Sequence, residues 1–378
     1  MKINWNLSIL FTAFLLLALT YWNYQNRVYD WDMPGYIGSV LEYDNSKSPD
    51  EIRTITYTSI EKEAFPIHYA DLIGTSPRDI PRQFFKKNTQ AFTEQLPYFQ
   101  IKVGYNLVIL LFYKLGATLP MSVLLVSLIS YFISGLLFFF IVKLIFPEKY
   151  LIAVLLTFCA FILPPMTYMS RVSTPDMFIF QFILILIVGL LKKWNSWVMF
   201  FLLFTITFIR PDYITMTLTY LFSIFLFQYF KERKLDFKLI FQGIILLALY
   251  FVIMKFYHYP GWKDLFYDSF ISRRPIMSAQ PANFGLKEYL DIIYIKIIYF
   301  KKVTLSLAIM VSVIFWLSKD LWTRIISLLF VINVYIKFFF FPQSAALRFF
   351  FPFIFPVFIM MLYAISQKYN GFRLNKIQ

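Results

Sequence analysis

A chain of 378 residues in which 59% are apolar and only 15% charged is not a soluble domain, where about a quarter of residues are charged. So much apolar side chain calls for lipid as its solvent. The net charge of +15 does not indicate nucleic acid, because it collects in short breaks between apolar runs. These hold Lys143 and Lys149; Lys192 and Lys193; Lys231, Arg233, Lys234 and Lys238; Lys319 and Arg324; and Lys368, Arg373 and Lys376. They are every second connection plus the tail, as in loops kept on the cytoplasmic side of a membrane.

In chain order, Met1-Lys2 precede an apolar stretch from Leu7 to Thr20. Tyr21-Trp22, an interfacial anchor pattern, stands where a signal peptide would carry its small-residue cleavage site, so this segment reads as an uncleaved first helix. Further spans are expected at 119–142, 150–164, 175–191, 196–210, 212–230, 238–257, 302–318, 325–341 and 348–366, about ten in all. An even number puts both termini in the cytoplasm. The third span ends at Pro164-Pro165 and the fifth at Arg210-Pro211. Both are short of the roughly twenty residues that cross a hydrocarbon core, which fits a recessed outer face. Segments 103–116 and 286–300 are too short or too mixed to span and read as helices lying at the interface. The class is therefore all-α, a polytopic bundle forming a single domain over 1–378.

Two external loops stand out, 23–102 and 258–301. The first holds eleven acids against nine bases, more than half of the 21 acids in the chain. Charges near spans are costly and mark candidate functional positions. Five such clusters fall on the external side, from five separate connections: Asp30-Trp31-Asp32-Met33-Pro34-Gly35-Tyr36, Ser170 to Asp176, Arg210-Pro211-Asp212, Ser272-Arg273-Arg274-Pro275, and Arg348 after the turn 342–347.

Each cluster has a structural and a chemical reading. Carboxylates at Asp30 and Asp32 form an acidic turn beside the first helix, or serve as a general base or cation ligand. Ser173 or Thr174 can cap the next span with Pro175 in its first turn and Asp176 against the helix dipole, or Asp176 is a second acid at the rim of a site. Arg210 and Asp212 pair with each other or contribute to that site. Arg348 snorkels to the interface or grips a phosphate bidentately, and Arg273 and Arg274 offer the same chemistry. His68 and His258 have neither a cysteine nor a third histidine nearby, and Cys159 stands alone in an apolar run, so neither a zinc site nor a disulfide is expected. No Gly-x-Ser-x-Gly motif is present.

The order and sidedness of these motifs resemble the GT-C superfamily, the polytopic glycosyltransferases that use polyprenyl-phosphate-linked sugars. The resemblance is carried by Asp30-Trp31-Asp32-Met33-Pro34-Gly35-Tyr36, the stretch Leu96 to Lys102 leading to Leu115-Gly116, Ser173-Thr174-Pro175-Asp176, Arg210-Pro211-Asp212 and Arg348. It implies a catalytic base in the first external loop, best matched by Asp32 and next by Asp30; family members often carry Asp-Glu where this chain has Asp32-Met33. It also implies donor-phosphate binding by Arg348, Arg210, Arg273 and Arg274. Asp176 and Asp212 would supply a second acid or hold a divalent cation such as Mg or Mn, which the resemblance permits without requiring. The acceptor would be a glycan, a lipid or a protein, the outcome inversion, and the location the bacterial cytoplasmic membrane with the active face outward. Rival readings are an O-antigen-type polymerase, for which the 258–301 loop would carry the basic residues, and a lipid or polysaccharide transporter. A transporter usually has repeats and mid-span charges, which this sequence lacks.

Overall fold

The computed structural model describes residues 2–43, 46–77, 79–233, 235–343 and 347–369. Lys234, Arg373, Lys376 and residues 344–346 of the turn before Arg348 lie outside them. Every regular element among the described residues is helical. Helix α1 (Lys2–Gln25) enters a layer of short helices: α2 (Met33–Leu41), α3 (Pro49–Glu63), α4 (Pro66–Ile73), α5 (Ile80–Lys87), α6 (Thr89–Gln95), α7 (Pro97–Gln100) and α8 (Val103–Lys114). The bundle continues with α9 (Leu119–Ile145), α10 (Tyr150–Phe161), α11 (Pro164–Arg171), α12 (Asp176–Leu191), α13 (Ser196–Ile209), α14 (Ile214–Glu232) and α15 (Phe237–Phe256). After α16 (Trp262–Phe270) come α17 (Leu286–Leu317), α18 (Leu321–Phe340) and α19 (Phe351–Tyr369).

The expected spans are all helical, but they differ in length. Seven helical stretches are long and apolar enough, starting in α1, α9, the turn before α14, α15, α17, α18 and α19. An eighth counts if α10 and α11 form one span bent by 62°. The bend falls at Pro164-Pro165, where a missing N–H and a restricted preceding residue stop the helix. α12 and α13 have only 16 and 14 residues, so at 1.5 Å per residue they reach about 24 and 21 Å. Seven or eight of the ten expected spans thus have the length of a full crossing, while α12 and α13 are shorter apolar helices that run between the same two ends of the bundle.

The interface helix expected over 286–300 is corrected too. With no proline or glycine to stop it, the chain runs as one 32-residue helix through Leu317. That is about 48 Å, longer than a hydrocarbon core of about 30 Å. The second loop shortens accordingly to 258–285. Segment 103–114 is a separate short helix as expected. It packs on α9 and α13, and at Gly104 a Cβ would come within 2.8 Å of Ile209.

α9 is central, packed against α1, α10 and α12. Its N-terminus is capped by Thr118, which accepts from the Met121 N–H, and its serines Ser122, Ser127, Ser130 and Ser134 are buried where small side chains allow close helix approach. The contacts also sort the connections by end. Trp5 donates to the Pro147 carbonyl at 3.0 Å, Lys192 lies over Phe140, Lys238 meets Ser196, and Ser366 donates to Ile145 O at 2.6 Å. Thus the lysine-bearing connections share one end of the bundle. The acidic loop, the α11–α12 turn, the α13–α14 turn and the segment before α19 gather at the other.

Candidate active site

At the end of the bundle away from those lysines lies a cavity of about 930 Å³. Its lining includes Asp32, Asp176, Arg210, Asp212, Arg273 and Arg348, residues from all five sequence clusters. Six charges on one side of it alternate in sign. Asp32 Oδ2 accepts from Arg348 Nη2 at 3.1 Å, and Arg348 Nε lies 3.7 Å from Asp176 Oδ2. Asp176 Oδ1 takes Arg210 Nη1, Arg210 Nε donates to Asp212 Oδ1 at 3.0 Å, and Asp212 Oδ2 takes Lys337. This row stitches together the first loop, the turn before α19, α12, the α13–α14 turn and α18. Three acids and three bases leave it neutral.

Local structure sets each member. Asp32 occupies the N-cap position of α2 but makes no side-chain cap bond, so its carboxylate is free to face the cavity. Pro34 sits in the first turn of that helix. Gly35 is packed so closely that a Cβ would stand 2.3 Å from the Phe99 ring, which fixes α2 against α7. Pro175 rather than Ser173 or Thr174 holds the N-cap position of α12, with no side-chain cap. Asp176 turns instead to the two arginines and is only 1% exposed. Pro211 breaks the helix after Arg210, so Arg210 reaches both Asp212 and Asp176.

Asp30 and Asp32 are separated by environment. Asp32 is 24% exposed and lines the cavity. Asp30 does not line it; its Oδ2 accepts the Ser173 N–H at 3.1 Å, and its Oδ1 is buried with no partner among the described residues. Burial first and the neighbouring Asp32 second push the Asp30 carboxyl up from 3.8 to about 7.

Arg273 and Arg274 also part. Arg273 lines the cavity, its guanidinium between the rings of Trp31, Phe85 and Tyr98 at 5.4–5.8 Å. Arg274 points away from the cavity and is buried against Asp268 and Asp264, each at 2.8 Å, and donates to Gln280 O at 2.9 Å. It holds the 258–285 loop together. A divalent ion finds little here: among the described residues no three Asp, Glu, His or Cys side chains are grouped to hold one. Asp176 and Asp212, the acids expected at such a site, are each shared between two cations.

Sequence reasoning missed two lysines. Lys337 stands in an otherwise apolar stretch of α18, and a lysine in a span is itself a signal. Lys102 precedes α8, lines the cavity and donates to the Tyr98 carbonyl; it ends the stretch Leu96 to Lys102 that carries the resemblance, which assigns it no role. Aromatics complete the cavity, with Phe340, Phe341 and Phe349 lining it, whereas Phe338 and Phe351 are buried in the bundle. Comparisons with protein-family models, curated proteins and solved structures find no match for this chain.

Proposed function

We propose that this protein is a membrane glycosyltransferase that moves a sugar from a polyprenyl-phosphate donor to a hydroxyl of a glycan, lipid or protein acceptor. The observation that carries the reading is Asp32, an acid left free by its helix, held by Arg348 and open to a cavity of about 930 Å³ at one end of an apolar bundle. An acceptor hydroxyl has a pKa far above neutrality and needs a base within hydrogen-bond reach. Asp32 takes that proton as the acceptor oxygen attacks the anomeric carbon. The bond from that carbon to the phosphate oxygen breaks, and the lipid phosphate leaves with one more negative charge. One displacement inverts the anomeric centre.

The charge that grows on the leaving phosphate is what a cationic cavity stabilises more in the transition state than in the ground state. Phe340, Phe341 and Phe349 give the prenyl chain an apolar approach from the lipid. The lysine-bearing connections at the opposite end fit a cytoplasmic side, which would direct the cavity outward from a bacterial cytoplasmic membrane. The resemblance to the GT-C superfamily supports the same chemistry.

The test is transfer from a panel of undecaprenyl-phosphate monosaccharides by purified protein in liposomes, wild type beside Asp32→Asn. The expected result is turnover of one donor, reduced by about 10²–10⁴ in the variant. No turnover of any donor, or equal turnover by a folded Asp32→Asn protein, sinks the reading and favours a polymerase or transporter.

A further inference from the structure

Of the four arginines expected to bind a donor phosphate, Arg348, Arg210, Arg273 and Arg274, all but Arg273 are occupied by acids. Arg348 is held by Asp32 and Asp176, Arg210 by Asp176 and Asp212, and Lys337 by Asp212. Arg274 is held by Asp264 and Asp268. A phosphate placed on any of them would compete with a carboxylate already in contact.

Two cavity cations among the described residues have no acid within ion-pair distance, and both border Tyr98. Lys102 Nζ donates to the Tyr98 carbonyl and has two further N–H donors. Arg273 lies against the Tyr98 ring at 5.6 Å; its one hydrogen bond is a 3.4 Å contact from Nη2 to Gln95 Oε1, and its Nε is buried with no partner. The nearby Asp268 does not serve Arg273, because its oxygens already accept from Tyr98 Oη at 2.9 Å and from Arg274. A cation half withdrawn from water with no acid in contact is costly. Burial and the approach of Arg210 lower the Lys102 ammonium to about 8, an effect that a bound anion reverses. The strongest acidic influence on Lys102 is Asp212 and on Arg273 is Asp268, with Asp32 acting more weakly on both.

We infer that Lys102 and Arg273, on either side of Tyr98, form the phosphate seat of this cavity, while Arg348 and Arg210 position Asp32. The ligand class is a phosphate mono- or diester, whether a lipid headgroup or free phosphate. The inference rests on the transferase reading for its role, but not for the binding itself. Two donors from Lys102 and the fork of Arg273 grip opposite oxygens of one phosphate, and Asp32 stands beside the bond that breaks.

The experiment titrates inorganic phosphate into purified protein in detergent by calorimetry. A second arm compares binding to liposomes carrying undecaprenyl phosphate with binding to phosphatidylglycerol liposomes. Loss of one charge-assisted hydrogen-bonding group is expected to weaken binding by about tenfold or more. Lys102→Gln and Arg273→Gln should each do so, the double variant should abolish binding, and Arg348→Gln should leave it within about threefold. Arg273→Lys, which keeps the charge and loses the fork, should fall between wild type and Arg273→Gln and guards against loss of folding. Binding in only one arm, with the same dependence on Lys102 and Arg273, supports the seat and names its source. No binding by wild type in either arm overturns it, as does binding lost in Arg348→Gln and kept in the other two. If a donor turns over and Lys102→Gln and Arg273→Gln match wild type, the seat fails while the transferase stands. If these residues bind phosphate and no donor turns over, the seat stands and the transferase reading fails.

Discussion

The α12–α13–α18 side of the cavity and its α7–α8 side both carry cations, but only the first sets acids within ion-pair distance of them. On that side Arg348, Arg210 and Lys337 alternate with Asp32, Asp176 and Asp212. On the other, Lys102 and Arg273 meet a carbonyl, an amide and aromatic rings. The difference separates two uses of buried charge. Neutralised charges fix the relative positions of elements, since each group makes sense only where its partners stand. Charges without a counter-ion raise the energy of the unliganded protein and lower it again when an anion arrives. Arg273 and Arg274 draw that line within one dipeptide.

The strongest way to break the comparison is through stability. Arg210→Gln takes the nearer cation from buried Asp176, leaving Arg348 at 3.7 Å, and should cost about 3 kcal/mol, read as a fall in the thermal unfolding midpoint in detergent. Arg273→Gln orphans no acid and should change that midpoint far less, or raise it. Equal losses in the two variants would erase the distinction between the walls.

A second test uses pH. The Asp30 carboxyl is raised from 3.8 to about 7 by burial and by Asp32, so the folded state binds its proton more tightly than the unfolded state. Its contribution to stability is fully present below the unfolded value and is lost as pH rises through about 7. Wild type should therefore gain stability relative to Asp30→Asn when pH is lowered from 8 to 5, and the difference should be flat above pH 8. A pH-independent difference would place Asp30 in water rather than beneath Asp32.

The smallest effect sharpens the α7 wall. Tyr98→Phe removes one hydrogen bond to Asp268, which Arg274 continues to hold. It should cost about 1 kcal/mol and leave phosphate binding unchanged, because Lys102 uses the carbonyl of residue 98 and Arg273 the ring face. A loss of phosphate binding equal to that of Arg273→Gln would show that the hydroxyl, rather than the two cations, organises the wall.

Much of the candidate site was legible because it is made of charges in places where charge is expensive. Asp32, Asp176, Arg210, Asp212 and Arg348 stood out against apolar neighbours, and their alternation along the chain from one side of the bundle to the other suggested a common face. The partition between Asp30 and Asp32 was not legible, since two acids two residues apart look alike until one is buried against Ser173. Nor was the fate of Arg274, whose partners Asp264 and Asp268 acquire meaning only when α16 brings them under it.

By itself the sequence determined that the chain is a bundle of apolar helices, where prolines end them, and which connections carry the lysines, because these follow from the energetics of backbone and charge in lipid. Only the tertiary structure decided how many helices are long enough to cross, that 286–317 is one helix, and which cation meets which acid. Those outcomes depend on the packing of segments far apart in the chain, and neither periodicity nor local composition encodes a distance between them.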